Sequence, residues 1–216
     1  MKVNPECRLE QGETLDPFTN LNLDSRLLTS DALFVSRLWV NNRCVVLGRH
    51  LTASEEVDLD YARQSGIPMV WRISGGGAVF HDPGVLNYSI SCRADLAGFC
   101  VEESLRRLST PVTMVLDELG LPWAWEAPNN IYIRGRKVSG SAQARKRGRV
   151  LHHGSILVAA DLTHLRGVLK PGGRSNHAPV TNLAEFFPGA TVEMVKLKLG
   201  SALSSYARTL TRMPST

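Results

Sequence analysis

The sequence predicts an α+β domain built on a mixed sheet, and three observations predict it. Segments with strand character fall into two groups, within residues 33–92 and 131–159. Helical stripes at 21–32, 102–120 and 191–209 lie before, between and after them. Strand–helix alternation is too irregular for a doubly wound nucleotide-binding sheet. A chain of 216 residues is long enough to bury one substantial core, so residues 21–210 are expected to form a single domain after an irregular lead-in over 1–20.

The lead-in carries Pro5, Gly12 and Pro17 without a period. Leu21, Leu23, Leu27, Leu28 and Ala32 then mark one helical face, with Asn20 or Asn22 as its cap. Leu33–Val40 and Cys44–Leu47 read as strands joined in a hairpin across Asn41-Asn42. A short helix containing Val57, Leu59 and Tyr61 stops at Gly66, ahead of Pro68. Pro68–Ile73 and Ala78–His81 are strands flanking a triple glycine, and Leu86–Cys92 is another. Leu105, Leu108, Val112, Val115, Leu116 and Leu119 form a helical stripe ending at Gly120, interrupted by Pro111. Ile131–Arg134, Lys137–Gln143 and Val150–Ala159 make a further sheet region, turning at Gly135-Arg136 and Arg147-Gly148. Asp161 caps a short helix through Val168, Lys170–Ser175 is a Pro/Gly-rich loop, and 191–209 is a closing helix.

Composition narrows the class. Apolar residues at 43% and charged residues at 21% exclude a disordered chain. No apolar run approaches the roughly 20 residues that span a bilayer, and the start lacks a signal-type segment. A cytoplasmic protein with no membrane association is expected. The net charge of +5 suits an acidic partner or a phosphate-bearing substrate and does not point to nucleic acid. Cys7, Cys44, Cys92 and Cys100 lack zinc-ligand spacing and read as free thiols.

Two constellations carry chemistry. In Ser74-Gly75-Gly76-Gly77, exposed backbone N–H groups are able to cradle a phosphate, with Arg72 as a cationic partner. Taken alone, a triple glycine is more simply a flexible hairpin tip, and no Walker pattern follows it. In Gly135-Arg-Lys-Val-Ser-Gly-Ser-Ala-Gln143, small residues leave space around Lys137, whose ammonium is suited to bridging an acyl carbonyl and a phosphate. Taken alone, it is a surface lysine. His152 and His153 are adjacent strand residues facing opposite ways, so they do not share a metal ion. One of them, His153, is assigned to the ligand cavity. Arg145-Lys146-Arg147-Gly148-Arg149 is a basic turn.

In order and spacing, five blocks resemble the lipoate–protein ligases. They are Arg72-Ile-Ser-Gly-Gly-Gly-Ala-Val-Phe-His-Asp82 with Gly84 and Asn87-Tyr88; Asn129-Asn-Ile131; Gly135–Gln143; His152-His-Gly-Ser-Ile-Leu157; and Val180-Thr-Asn-Leu183. The resemblance implies the mixed-sheet catalytic-domain fold of the biotin/lipoyl ligase superfamily, here without the C-terminal accessory domain. It implies ATP with Mg²⁺, and lipoate, as substrates: lipoate attacks the α-phosphate to give lipoyl-AMP, and an acceptor lysine then takes the lipoyl group. Carried over residue by residue, the adenylate and acyl chain fall to Arg72, Ser74, Gly75, Gly76, Gly77, Ala78, Val79, Phe80, Asn87, Asn129, Ser139, Gly140, Ala142, His153 and Gly154, with Lys137 catalytic. Asn130 stands where the family carries aspartate, which makes it a poorer ligand for Mg²⁺.

The implied partner is an acceptor lipoyl domain or a glycine-cleavage H-type protein, docked through Arg145, Lys146, Arg147 and Arg149. A separate small accessory subunit is implied by the end of the chain at Thr216. Two other readings stay open. An octanoyltransferase needs a cysteine in the Lys170–Gly173 loop or in Trp123–Pro128, and neither has one. A lipoyl-adenylate-binding module without the activation step is consistent with Asn130.

Overall fold

The computed structural model describes residues 7–11, 14–98, 100–173 and 179–212. Its strands are β1 (Cys7–Gln11), β2 (Phe34–Trp39), β3 (Cys44–Leu47), β4 (Met69–Trp71), β5 (Val79–His81), β6 (Val85–Arg93), β7 (Trp123–Glu126), β8 (Asn130–Ile133), β9 (Arg136–Lys146) and β10 (Arg149–Leu157). Its α-helices are α1 (Pro17–Arg26), α2 (Ala53–Glu56), α3 (Leu59–Gln64), α4 (Ala94–Ala97), α5 (Val101–Leu108), α6 (Thr110–Glu118), α7 (Leu162–Val168) and α8 (Val192–Arg212). A seven-stranded sheet runs β1-β2-β6-β10-β9-β8-β7, and a three-stranded sheet runs β4-β3-β5. Each contains one parallel pair, β1–β2 and β3–β4, so both are mixed as expected.

Strand alternation decides which face is core. Leu86, Tyr88, Ile90 and Cys92 of β6 pack with Val112 and Leu116 of α6 and with Leu199 and Leu203 of α8. The intervening Asn87, Ser89 and Ser91 face the other way, toward the small sheet, and are themselves buried. A second core joins Val45, Leu47 and Phe80 of the small sheet to Leu165 and Val168 of α7. The polar space between the sheets is where the two motif regions meet.

Several local expectations are corrected. Cys7–Gln11 is not irregular; it pairs with β2. Residues 1–6, 12 and 13 lie outside the described residues. The first helix begins at Pro17, whose fixed φ suits a first-turn position, and Asp16 caps it by accepting from Thr19 N at 2.8 Å. Asn20, expected as a cap, is buried within the helix instead. β2 and β3 form no hairpin, because β1 and β6 occupy both edges of β2 and β3 joins the other sheet. The stripe over 102–120 is two helices broken at Ser109, with Pro111 in the first turn of α6, where its missing N–H costs nothing. The turn before Lys137 is Arg134-Gly135 rather than Gly135-Arg136: both residues have positive φ, 49° and 74°, as a two-residue hairpin turn requires. Arg147-Gly148 turns the same way, at 52° and 74°. β7 went unread, since Trp123-Ala-Trp-Glu is a short edge strand. Of the glycine-rich loop after Lys170, residues 174–178 lie outside the described residues.

Helix α8 tests this packing by itself. Leu199 is 0% exposed against the sheet, whereas Leu197, two residues away, is 63% exposed. Leu199→Ala is expected to cost about 2–5 kcal/mol in urea denaturation, and Leu197→Ala to stay within about 0.5 kcal/mol of the parent.

Candidate functional site

Two rows of facing residues cross the large sheet beneath the small one. Trp39, Asn87, Ser155, Gly140 and Asn130 are successive strand partners, as are Arg37, Ser89, His153 and Ala142. Small residues at the centre of these rows leave a pocket between the sheets. Its apolar end is lined by Leu21, Trp39, Val46 and Val79, and its polar end by Arg72 and Lys137. An adjoining pocket, lined by Phe80, Leu157, Leu165 and Val180, shares Val79, Lys137, Gly140 and Ser155 with the first.

The glycine loop connects β4 to β5 and wraps around Arg72. Gly76 has φ of 90°, and a Cβ there would lie 2.8 Å from Arg72 Nη2. The guanidinium donates to Ser74 Oγ at 3.0 Å, Gly75 O at 2.7 Å, Gly77 O at 2.8 Å and Val46 O at 3.2 Å. Arg72 is therefore first a clasp for the loop's carbonyls, and it contributes its charge to the pocket from beneath them. It is buried with no carboxylate among the described residues bonded to it, and burial lowers its pKa to about 10.

Lys137 reaches the same pocket through a backbone irregularity. The β8–β9 register slips between Ile131 and Tyr132, and this bulge brings Lys137 to the face occupied by Gly140 and Ala142. A Cβ on Gly140 would lie 2.9 Å from Lys137 Nζ and 3.2 Å from Asn130 Oδ1, so the missing side chain is the space the ammonium occupies. Residues 179–181 strap β9 at this point, with Lys137 N donating to Pro179 O at 2.8 Å and Thr181 N to Lys137 O at 3.0 Å. Lys137 Nζ has no ion-pair partner among the described residues. Burial, followed by repulsion from Arg72, lowers its pKa to about 8.

Behind the loop, Arg72, Ser74, His153 and Asp24 form a chain. Arg72 donates to Ser74 Oγ, which lies 2.6 Å from His153 Nε2, while His153 Nδ1 lies 2.5 Å from Asp24 Oδ2. A carboxylate accepts, so His153 Nδ1–H donates to Asp24; Ser74 Oγ accepts from Arg72 and lies between His153 Nε2 and Gly75 O, the latter at 3.4 Å. This chain fixes the loop to both β10 and α1. His152 faces the opposite side, near Tyr88 and Ser109, as strand alternation requires. Gly154 is required because a Cβ there would lie 2.5 Å from Tyr88 Oη.

The expected site residues therefore largely converge. Arg72, Gly76, Gly77, Val79, Asn87, Asn129, Lys137, Gly140, Ala142, His153 and Gly154 line the first pocket; Ala78, Phe80 and Ser139 line the second. Ser74 and Gly75 shape the loop. Asn87 is 1% exposed with neither amide atom partnered, and Asn130 Oδ1 and Ser139 Oγ are likewise buried and unpartnered. Arg145, Lys146 and Arg147 are exposed at the β9–β10 tip, eight residues or about 26 Å of strand from Lys137. Arg149 differs: it donates to Ala32 O at 2.8 Å and Ser91 O at 3.1 Å and so secures the sheet. Leu21, Trp39, Val46 and His81 were not assigned to the site from sequence, because nothing local marks a strand residue as facing a cavity across two sheets.

Apolar side chains and two cations without a carboxylate partner among the described residues thus line one pocket between the two sheets. The chain belongs to the lipoyl protein ligase A/B catalytic domain family, which matches residues 16–204. It is 33% identical over 156 residues to lipoate-protein ligase LplJ of Bacillus subtilis, covering 68% of this chain and 46% of that one. The chain spans about half the length of the curated relatives it matches. Among solved structures it resembles a Thermoplasma acidophilum protein with bound lipoic acid, at TM-score 0.82 and 29% identity over 94% of this chain and 86% of that one. It also resembles the bi-partite lipoate protein ligase of T. acidophilum, described with its E2 lipoyl domain, at TM-score 0.79 and 28% identity over 99% and 95%. A lipoate-protein ligase A bound with ATP matches at TM-score 0.80 and 28% identity over 98% and 96%.

Two glycines separate shape from chemistry. Gly140→Ala intrudes on Lys137 and Asn130, whereas a Cβ on Gly75 meets nothing within 4 Å. Calorimetry with an acyl-adenylate analogue is expected to show at least about tenfold weaker binding for Gly140→Ala, the loss of one charge-assisted contact, and near-parent binding for Gly75→Ala.

Proposed function

We propose that this chain is the catalytic domain of an ATP-dependent lipoate–protein ligase. The observation that supports it best is the pairing of apolar pocket walls with Arg72 and Lys137, two cations lacking carboxylate partners among the described residues. In the first step the lipoate carboxylate attacks the α-phosphorus of ATP, the bond to the bridging oxygen breaks, and pyrophosphate leaves. In the second the amine of an acceptor lysine attacks the acyl carbon, AMP leaves, and an amide forms. Negative charge develops on phosphate oxygens first and on the acyl oxygen second, and a single ammonium between them stabilises both.

The adjoining pocket is assigned to the adenine. Leu157, Leu165, Leu169 and Val180 give it apolar walls, and Val79 and Phe80 of the edge strand β5 lie beside it. Asn87 and Asn129 are assigned to polar atoms of the lipoyl-adenylate, which is consistent with the unpartnered amide of Asn87. Mg²⁺ is read as arriving on the ATP phosphates. Asn130 Oδ1, buried and unpartnered beside Lys137, fits as one hard oxygen ligand, with no cluster of three His, Cys, Asp or Glu among the described residues to cage the ion. Its chemistry there would be to draw charge from the phosphate oxygens.

An octanoyltransferase is less well supported, because a thioester intermediate needs an accessible thiolate. Burial raises both Cys44 and Cys92 to about 12, and no cysteine lines either pocket. The acceptor is read as an acidic lipoyl domain or H-type protein guided by Arg145, Lys146 and Arg147. A separate small subunit is proposed by analogy with the ligase of T. acidophilum described as bi-partite. A cytoplasmic reaction is part of the proposal. Among the described residues no helix is long and apolar enough to cross a membrane.

The deciding assay mixes the chain with apo-lipoyl domain and either lipoate with MgATP or octanoyl carrier protein. Mass spectrometry is expected to show one lipoyl group added only in the first mixture; modification only in the second would make it a transferase. Lys137→Ala is expected to lower kcat on the order of 10²–10³-fold. For the parent, kcat/KM for ATP is expected to fall as pH rises through about 8, where free Lys137 loses its charge. Reversing Arg145 and Arg147 to Glu is expected to raise KM for the acceptor while leaving adenylate formation unchanged; equal losses in both steps would remove the docking role.

A further inference from the structure

A second buried chain of polar groups ends in the pocket and has a fixed direction. Arg37, 2% exposed, donates from Nη2 to Asn20 Oδ1 and from Nη1 to Asn20 O at 3.2 Å. An arginine accepts no hydrogen bond, so the Asn20 oxygen must face it. Asn20 Nδ2 then donates to Asn41 Oδ1 at 2.9 Å, with Val40 O at 2.9 Å and Thr14 O at 3.0 Å as its other acceptors. That sets the Asn41 amide, whose Nδ2 donates to His81 Nδ1 at 3.2 Å. Cys44 Sγ, 3.6 Å away, is the other neighbour of Asn41 Nδ2; His81 Nδ1 is consequently an acceptor, and the ring proton is assigned to Nε2 on the pocket side. His81 lines the pocket and stands edge-on to Trp39, with ring centroids 6.0 Å apart, at the end opposite Lys137.

We infer that His81 is a specificity-determining residue whose Nε2–H, oriented by Arg37, Asn20 and Asn41, selects an acyl tail bearing an acceptor heteroatom over an all-carbon tail of similar length. The inference rests on the reading that this pocket holds the acyl chain. A dithiolane sulfur is a weak acceptor that meets such a donor, whereas an alkyl terminus leaves it desolvated and unpaired. The ring stays neutral across the physiological range: burial, followed by the nearby Arg72 charge, lowers its pKa to about 3. The Arg37 chain and the Asp24 chain share no side chain, although both are anchored on α1, through Asn20 and Asp24.

The test has two arms. In ¹⁵N-labelled protein, two-bond ¹⁵N–¹H correlations are expected to show His81 as the Nε2–H tautomer. Asn41→Asp, nearly isosteric but an acceptor at both oxygens, is expected to move the proton to Nδ1. In calorimetry with non-hydrolysable lipoyl- and octanoyl-adenylate analogues, the parent is expected to prefer the lipoyl form. That preference is expected to fall about three- to tenfold in both Asn41→Asp and His81→Phe, the worth of one modest hydrogen bond. A parent Nδ1–H tautomer, or a preference that survives both variants, would overturn the inference while leaving the ligase reading intact. If neither analogue binds the parent, the ligase reading falls and takes the inference with it.

Discussion

Arg72 and Lys137 place two positive charges in one pocket with no carboxylate among the described residues bonded to either, and much of the surrounding structure holds that arrangement. Burial without an opposite charge disfavours the charged state, which is why both groups sit below their usual values, near 10 and near 8. Such an arrangement is relieved by an anionic ligand. The site is thus complementary to a phosphate or a developing oxyanion, and the apolar end beyond it to a hydrocarbon chain.

The charges stay in place because each is built into the backbone. Arg72 is held by the carbonyls of its own loop, and the loop is held to α1 and β10 by Ser74, His153 and Asp24. Lys137 is aimed by a β-bulge and given room by Gly140. Neither depends on a flexible surface contact, which fits the rule that precise sites are supported by locked neighbours. The basic tip at Arg145–Arg147 is a different kind of feature, exposed and far along β9, suited to guiding a partner rather than to chemistry.

Much of this was legible in the sequence, and the reasons for the rest are specific. The glycine loop, the lysine segment and the His-His-Gly strand are contiguous motifs with a local meaning, and the fold brings them into one pocket. Strand alternation correctly separated His152 from His153. What sequence could not carry was long-range pairing: that β2 and β3 part company between two sheets, and that Cys7–Gln11 completes an edge. The role of Arg72 also changed, because the direction of its hydrogen bonds depends on where the loop's carbonyls turn. Asp24, Trp39 and His81 lie on separate elements and become neighbours only when the small sheet closes over the large one. Arg149, indistinguishable in sequence from its basic neighbours, is set apart by bonds to Ala32 and Ser91.

The central claim is that Lys137 waits in the pocket for an anion. Its direct test is the titration of the Lys137 ammonium by NMR, alone and with a non-hydrolysable acyl-adenylate bound. The free protein is predicted to titrate near 8, and the complex at or above the ordinary lysine value of 10.5, because the bound phosphate supplies the missing countercharge. A complex that still titrates near 8 would contradict it.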